Sequence, residues 1–353
     1  MKIHCVQGIK PLDIFYGEKM KISGYTTTRN VVQMDYPFVE AIESLLDFCD
    51  EVVVGDSSDG SDGTLEKLQE LMDKYPQLRV VHVDVPWDAP NHGIYDGQMK
   101  AVARSKCTGD YLWQLDVDEI VEPGARPKIE SLIKQAAPFM DKSPIISLPV
   151  VEYWGSKDKV RIDVNPWKWR LSKNLPYITH GIPKKLRKVE NGLLYARQGT
   201  DGCDYIHKET GEIVQFSNFV TPEVDQLRRV AITDENAARD YQNWFNMVNS
   251  HLPVTHHFSW YSIEAKILKF KHFWNDSWLS LYNEKRPEGW NPFFADKSLE
   301  EVSDEEIKAL AKKLGTETGG HIFHKPWDGS KTNHVTLELQ LPEVIDEWCK
   351  KHQ

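Results

Sequence analysis

Gly109-Asp110-Tyr111-Leu112-Trp113-Gln114-Leu115-Asp116-Val117-Asp118-Glu119 decides the fold. A short apolar run, 111–115, is entered through a Gly-Asp turn and left through three carboxylates, which reads as a buried strand with an acidic end. Carboxylates at i and i+2, where the chain turns out of a strand, can converge on one hard divalent cation. Mg²⁺ or Mn²⁺ held this way keeps open positions for substrate phosphates.

Working outward, the preceding segments alternate between strand and helix. Residues 21–25 read as a first strand, and Phe38, Ile42, Leu45, Leu46 and Cys49 fall on one helical face. Val52-Val53-Val54 is a β-branched run. Leu65, Leu68, Leu71, Met72 and Tyr75 line a second helix, residues 80–85 form the next strand, and a third helix covers about 98–106. Strands alternating with helices predict βαβ units and a mostly parallel sheet, in which ligands collect at the carboxyl ends of the strands. The loops at those ends are 26–30, 55–64 and 116–119.

Beyond residue 145 the pattern loosens into aromatic segments such as Glu152-Tyr153-Trp154-Gly155 and Pro166-Trp167-Lys168-Trp169. Trp260, Ile263, Ile267, Phe270, Trp274 and Trp278, spaced by three or four, predict a strong helix with Ser259 as its N-cap. Ser303-Asp304-Glu305-Glu306 has the form of a capping box.

The acidic strand end has company. The segment 109–119 resembles the Gly-Asp-Tyr…Asp-x-Asp-Glu segment of family 2 glycosyltransferases of the GT-A fold. Residues 51–64 look like that family's strand ending in Asp-Asp-x-Ser-x-Asp-Gly-Thr, and 22–30 like its first strand and nucleotide loop. The resemblance covers about residues 20–125, with three motifs in the family's order. One position departs: the first Asp of the family's pair is Gly55, while the second corresponds to Asp56.

The resemblance implies an α/β GT-A fold, with a mostly parallel central sheet flanked by helices. Residues 1–145 would form the nucleotide-sugar half, and 146–353 an aromatic-rich acceptor region with a helical C-terminal end packed on it. It implies that Thr27 and Arg29 border the nucleotide and that Asp56 bonds the base or ribose. Asp116 would reach the ribose or the metal, and Asp118 would ligate the Mn²⁺ or Mg²⁺ bridging the diphosphate. GT-A enzymes often complete the metal shell with a later His. His257, beside His256 and ahead of the strong helix, is the first choice, with His321 and His324 behind it. A divalent ion at this point neutralises charge growing on the leaving nucleoside diphosphate.

Inverting transfer also needs a base to deprotonate the acceptor hydroxyl. The acidic loop 199–205 offers Asp201 and Asp204, with Glu152 behind them. The expected reaction is hexosyl transfer from a nucleotide-sugar, a UDP-sugar ahead of a GDP-sugar, to a glycan, lipid-linked or small hydroxylated acceptor. Two rivals stay open: a sugar-1-phosphate nucleotidyltransferase, and a catalytically inactive GT-A protein that binds carbohydrate.

Composition narrows the partners. With 53 Asp+Glu against 43 Lys+Arg, the formal charge of −10 argues against broad capture of nucleic acid or an anionic membrane. A local cluster, Lys184-Lys185-Leu186-Arg187-Lys188, could still meet phosphates. No apolar stretch approaches the roughly 20 residues of a membrane span, and the start lacks a signal peptide's apolar core, so a cytoplasmic protein with at most peripheral membrane contact is expected. Five scattered cysteines without a C-x-x-C pair fit a reducing compartment. Twelve tryptophans either fill a core or stack on sugar rings. No Walker-type phosphate loop, dinucleotide-binding glycine motif or G-x-S-x-G elbow is present.

Overall fold

The computed structural model describes residues 20–85, 93–157, 159–161, 167–190, 193–196, 202–217, 222–269, 271, 294, 301–316, 320–321, 331–332, 334–336 and 342–352. The first half alternates strand and helix: β1 (Ile22–Thr28), α1 (Phe38–Phe48), β2 (Glu51–Asp56), α2 (Thr64–Lys74), β3 (Leu78–His82), α3 (Gly93–Lys106) and β4 (Tyr111–Gln114). Next come β5 (Glu119–Val121), α4 (Arg126–Ala136), β6 (Ile145–Glu152), β7 (Lys159–Arg161), β8 (Trp167–Lys173) and β9 (Ile178–Gly181). The later elements are β10 (Arg187–Glu190), β11 (Leu193–Ala196), β12 (Asp204–His207), β13 (Phe216–Ser217), α5 (Pro222–Ala231), α6 (Glu235–His251), β14 (Thr255–His257), α7 (Ile263–Lys269), α8 (Asp304–Thr316) and α9 (Asp346–Lys351).

One central sheet runs β3-β2-β1-β4-β8-β6-β14-β5, with β13 beside β6. Strands β3, β2, β1 and β4 are parallel neighbours, as the alternation predicts. The sheet then turns mixed, because β8 runs antiparallel to both β4 and β6. It therefore crosses residue 145, and strands from both stretches of the chain share it.

β1, β2 and β6 are buried on both faces, which suits their β-branched and aromatic content. Helix α1 lays Phe38, Ala41, Ile42, Leu45 and Phe48 against the sheet and α4 adds Ile129, Leu132 and Ile133, all in one core with Val52, Val54 and Trp113. Trp113, Trp154, Trp167 and Trp260 are at most 5 % exposed. Of the two readings open for the tryptophans, these four fill cores.

Several local expectations shift. Helix α3 starts at Gly93, five residues before the expected 98, and β3 ends at His82. At α7 the cap is Ser262, whose Oγ accepts from Ala265 N at 3.3 Å; Ser259, expected there, instead accepts from Lys266 Nζ at 2.5 Å. Phe270, Trp274 and Trp278 lie outside the described residues. The capping box forms as expected: Ser303 N donates to Glu306 Oε2 (2.9 Å) and Glu306 N to Ser303 Oγ (3.2 Å). Lys184 and Lys185 are exposed on a short 3-10 turn.

The loop from β1 to α1 is pinned from far along the chain. Asp35, at a left-handed φ of 51° that Asp tolerates better than most residues, holds Lys351 Nζ at 2.8 Å and His352 Nε2 at 2.6 Å, while Trp348 Nε1 donates to the Asp35 carbonyl at 3.3 Å. Helix α9 thus clasps the loop that leads into Tyr36.

Candidate active site

Sheet register builds the centre of the site. β14 lies between β5 and β6, and pairing sets Glu119, His257 and Glu152 side by side on three neighbouring strands. Side chains alternate along a strand, so His257 and His256 face opposite ways. His256 turns into the core, its Nδ1 2.8 Å from Tyr153 Oη, and burial pushes its pKa down to about 4. His257 turns to the strand ends. Its Nδ1 is 2.7 Å from Glu152 Oε1 and its Nε2 3.3 Å from Asp118 Oδ1.

Asp118 is set there by a tight turn after β4. Glu119 N donates to the Asp116 carbonyl (3.1 Å), and Phe258 N to the Asp118 carbonyl (2.8 Å), tying the turn to the end of β14. Burial alone would raise the pKa values of Asp118 and Glu152. The His257 charge outweighs it and holds both well below the usual carboxylate range. Burial likewise opposes the imidazolium, but Glu152 and Asp118 lift His257 to about 9.

Asp116 faces different neighbours. Lys100 Nζ (2.8 Å) and Gln114 Nε2 (2.9 Å) meet its Oδ1, and Arg170 meets its Oδ2 at 2.9 Å. Burial opposes its charge, yet Lys100 and Arg170 keep its pKa well below the usual range. Arg170 also pairs with the fully buried Glu119 and with Gln114. Lys168, two residues earlier on β8, reaches Glu152 (3.1 Å) and Glu119 (3.3 Å).

Among the described residues no three His, Cys, Asp or Glu side chains gather as a metal cluster. Of the three expected ligands, Asp118 and His257 lie beside each other, and Asp116 is paired with Lys100 and Arg170. A carboxylate and an imidazole whose second nitrogen is fixed by Glu152 are a donor pair suited to Mn²⁺ or a similar ion whose remaining positions go to phosphate and water. His321 lies in a two-residue strand and His324 outside the described residues.

The residues expected to border the nucleotide also meet at strand ends. Asp56 Oδ1 accepts from Thr28 Oγ1 and Ser58 Oγ, both at 2.7 Å, and Oδ2 from Ser58 N at 3.1 Å. Arg29 donates to the Ser57 carbonyl (2.8 Å). Thr27 Oγ1 donates to Asp96 Oδ1 (3.0 Å), and Asp96 pairs with Lys100 (2.9 Å). Gly55 has a steric cause: a Cβ there would sit 3.0 Å from the Met99 carbonyl and 3.3 Å from Ala103 Cβ on α3. The helix passes too close to β2 for the family's Asp.

Cys203, just ahead of β12, donates from its Sγ to Asp96 Oδ2 at 3.1 Å. Its carbonyl meets His180 Nδ1 at 2.8 Å, and His180 Nε2 lies 2.6 Å from Tyr25 Oη; burial pushes His180 down to about 3. Asp204 opens β12, half-buried, one residue further on. Asp201 lies outside the described residues. Glu152 is engaged with His257 and Lys168.

Asp96, Lys100, Lys168 and Arg170 were not anticipated as site residues. The alternation Trp167-Lys168-Trp169-Arg170 carried the signal, since residues two apart on a strand share a face. So did Asp96 and Lys100, four apart on a helix.

Fold and site together define an α/β protein with a central sheet flanked by helices and an acidic centre at the carboxyl ends of its strands. The sequence model described as "Glycosyl transferase family 2" matches residues 37–183, a span that takes in β2, the Asp56 loop, Asp116, Asp118 and Glu152. Over that span the chain is family 2-like, as its motifs imply. Among solved structures it is similar to the mannosyltransferase PcManGT from Pyrobaculum calidifontis in complex with GDP-Man and Mn²⁺ (19 % identity, 38 % of this chain and 36 % of that one, TM-score 0.28). It is also similar to S. aureus TarS 1–349 in complex with UDP-GlcNAc (19 %, 74 % and 79 %, 0.30). A third is glucosyl-3-phosphoglycerate synthase from Mycobacterium tuberculosis with Mn²⁺, UDP and phosphoglyceric acid (18 %, 37 % and 43 %, 0.26). The chain thus spans about a third of the length of the mannosyltransferase it matches. No curated protein matches it in sequence. Among the described residues no helix is long and apolar enough to cross a membrane.

Proposed function

We propose that this protein is a glycosyltransferase that moves a sugar, of hexosyl type, from a nucleoside-diphosphate sugar to a hydroxyl acceptor with inversion at the anomeric carbon. The observation that carries the reading is the line Glu152–His257–Asp118 at the strand ends, two members of which, Asp118 and Glu152, fall in the segment matching the glycosyl transferase family 2 model.

On this reading the nucleoside lies toward Thr27, Arg29 and Asp56, and the diphosphate toward Asp118. Asp118 and His257 would hold a Mn²⁺ or Mg²⁺ ion, which supplies positive charge to the leaving diphosphate. Glu152, held to His257 Nδ1, keeps Nε2 turned toward that ion, a positioning role that takes it out of the contest for the base. Lys100 and Arg170 keep Asp116 ionised where it can accept a hydrogen bond from a ribose hydroxyl. Asp204 is the base to test first among the described residues: it would take the acceptor proton while the acceptor oxygen attacks the anomeric carbon opposite the departing phosphate.

UDP-sugars are the first donors to test and GDP-sugars the second, with a glycan, lipid-linked or small hydroxylated acceptor. The testing experiment is a thermal-shift screen of UDP- and GDP-sugars with and without Mn²⁺, on the wild type and D118N, followed by assay of nucleoside diphosphate release. A Mn²⁺-dependent shift lost in D118N supports the reading. A protein that responds to no nucleotide, or that releases pyrophosphate from a nucleoside triphosphate and a sugar phosphate, overturns it.

A further inference from the structure

Helix α7 follows directly on the His257 strand and carries two lysines one turn apart, Lys266 and Lys269. Lys266 Nζ donates to Ser259 Oγ at 2.5 Å and lies 5.9 Å from the centre of the Trp260 ring. Lys269 reaches the other way. Its Nζ sits 3.8 Å from the centre of the Tyr36 ring, on the loop between β1 and α1. Helix and loop are thus bridged by an ammonium resting on an aromatic face.

The bridge stands beside the acidic centre. β1, β4 and β14 run the same way, so the loop bearing Tyr36 after β1 and helix α7 after β14 leave the sheet at the edge where Asp116, Asp118 and His257 lie. Burial and the charges of Asp118, Asp96 and Asp116 raise the pKa of Tyr36. Burial and the nearby Lys266 push Lys269 down to about 7, with Asp118 and Asp35 acting the other way from a distance. Among the described residues no carboxylate pairs with Lys269 within ion-pair range. A half-buried ammonium resting on a ring face is stabilised by an anion that enters the same space.

Resting on the function proposed above, in which the anion at this place is the donor's diphosphate, we propose that Lys269, seated on Tyr36, pairs with the outer phosphate of the bound donor. In the transfer, the bond from the anomeric carbon to the outer phosphate oxygen breaks and its electron pair stays on that oxygen. The acceptor oxygen forms the new bond to carbon, and its proton passes to the base. Lys269 exchanges no proton; its charge opposes the charge gathering on the released phosphate. Because the outer phosphate is absent from a nucleoside monophosphate, the proposal separates two ligands that share everything else.

The test is calorimetric titration of UDP, UMP, GDP and GMP, with Mn²⁺, into the wild type, K269Q and K269R. The expected result is that K269Q weakens the diphosphate that the wild type binds by roughly tenfold or more, the scale of one charged hydrogen bond, and leaves its monophosphate within about twofold. K269R, keeping the charge, restores most of the loss. A K269Q that weakens mono- and diphosphate alike, or neither, overturns the role of Lys269 while nucleotide binding stands. A wild type that binds none of the four overturns this inference together with the functional reading beneath it.

Discussion

At the end of β2, each oxygen of Asp56 is occupied by a neighbour of its own chain: Thr28 and Ser58 donate to it, and the corner is closed. At the Asp118 corner the carboxylate faces an imidazole, and Lys269 stands beyond it on a ring face with no paired carboxylate among the described residues. Both corners lie at strand ends and both carry an acidic motif that resembles those of family 2 glycosyltransferases. The first uses its charge to hold two loops together, and the second holds charge whose partners are still to come. Satisfied polar groups mark framework, and unsatisfied charge beside a cleft marks the place where chemistry is expected.

The contrast can be broken or sharpened by substitution. The largest effect is expected at Asp118: D118N should lower sugar transfer by about 10²–10³-fold, the scale for losing a group that stabilises leaving-group charge, while keeping a cooperative unfolding transition. Steady-state release of nucleoside diphosphate checks it, and transfer within a few fold of wild type would erase the distinction between the corners. Next comes Glu152. E152Q should weaken Mn²⁺ by roughly 10–100-fold, read by titrating Mn²⁺ in the presence of nucleoside diphosphate; unchanged affinity would remove its role of orienting His257.

The Asp56 corner should answer first in stability. G55A sets a Cβ against the Met99 carbonyl and should cost about 1–3 kcal/mol, as overpacking does. D56N, which leaves Thr28 and Ser58 poorly matched, should cost about 1–3 kcal/mol as well. Denaturant midpoints measure both. If D56N folds like the wild type and loses nucleotide affinity instead, Asp56 contacts the nucleoside and the corner is not merely framework. The smallest effect is on acid stability. Glu51, at the start of β2, is pulled down to about 2: burial opposes its charge, but donors on Ser23 and Thr108 outweigh it. A lowered folded pKa contributes stability above the unfolded value of about 4.3. That contribution is lost as pH falls through about 4 toward 2, so E51Q should flatten this limb of a stability profile and leave it unchanged near pH 7.

Much of the fold was legible because its signals are local. Val52-Val53-Val54 and the stripe Phe38, Ile42, Leu45 announce a buried strand and the helix packed on the sheet whatever lies elsewhere. His257, preferred to His256, does face Asp118, and the register of β14 supplies the reason that its flanking sequence could not. What stayed hidden depends on distant neighbours. Nothing near Gly55 reveals that α3 passes within contact of it. Lys168 and Arg170 stand between tryptophans whose apolar character dominates the segment, and only the β4–β8 pairing brings Arg170 to Asp116. Asp96 fell outside the helix expected from 98 because Gly93 and Gly97, poor helix formers, flank it. Ser259 has the composition of a cap, but the helix begins three residues later and its hydroxyl serves Lys266.

The clasp between Asp35 and His352 joins residues 317 apart in sequence. Loop closure over such a distance is entropically slow, so contacts of this kind form after the local ones during folding. The loop bearing Tyr36 therefore takes its final shape late, after α1 and the strands beside it have packed. A chain shortened by residues 346–352 would keep its sheet and lose the fastening of one wall of the site, so that the order in which the chain assembles is also the order in which the site becomes competent.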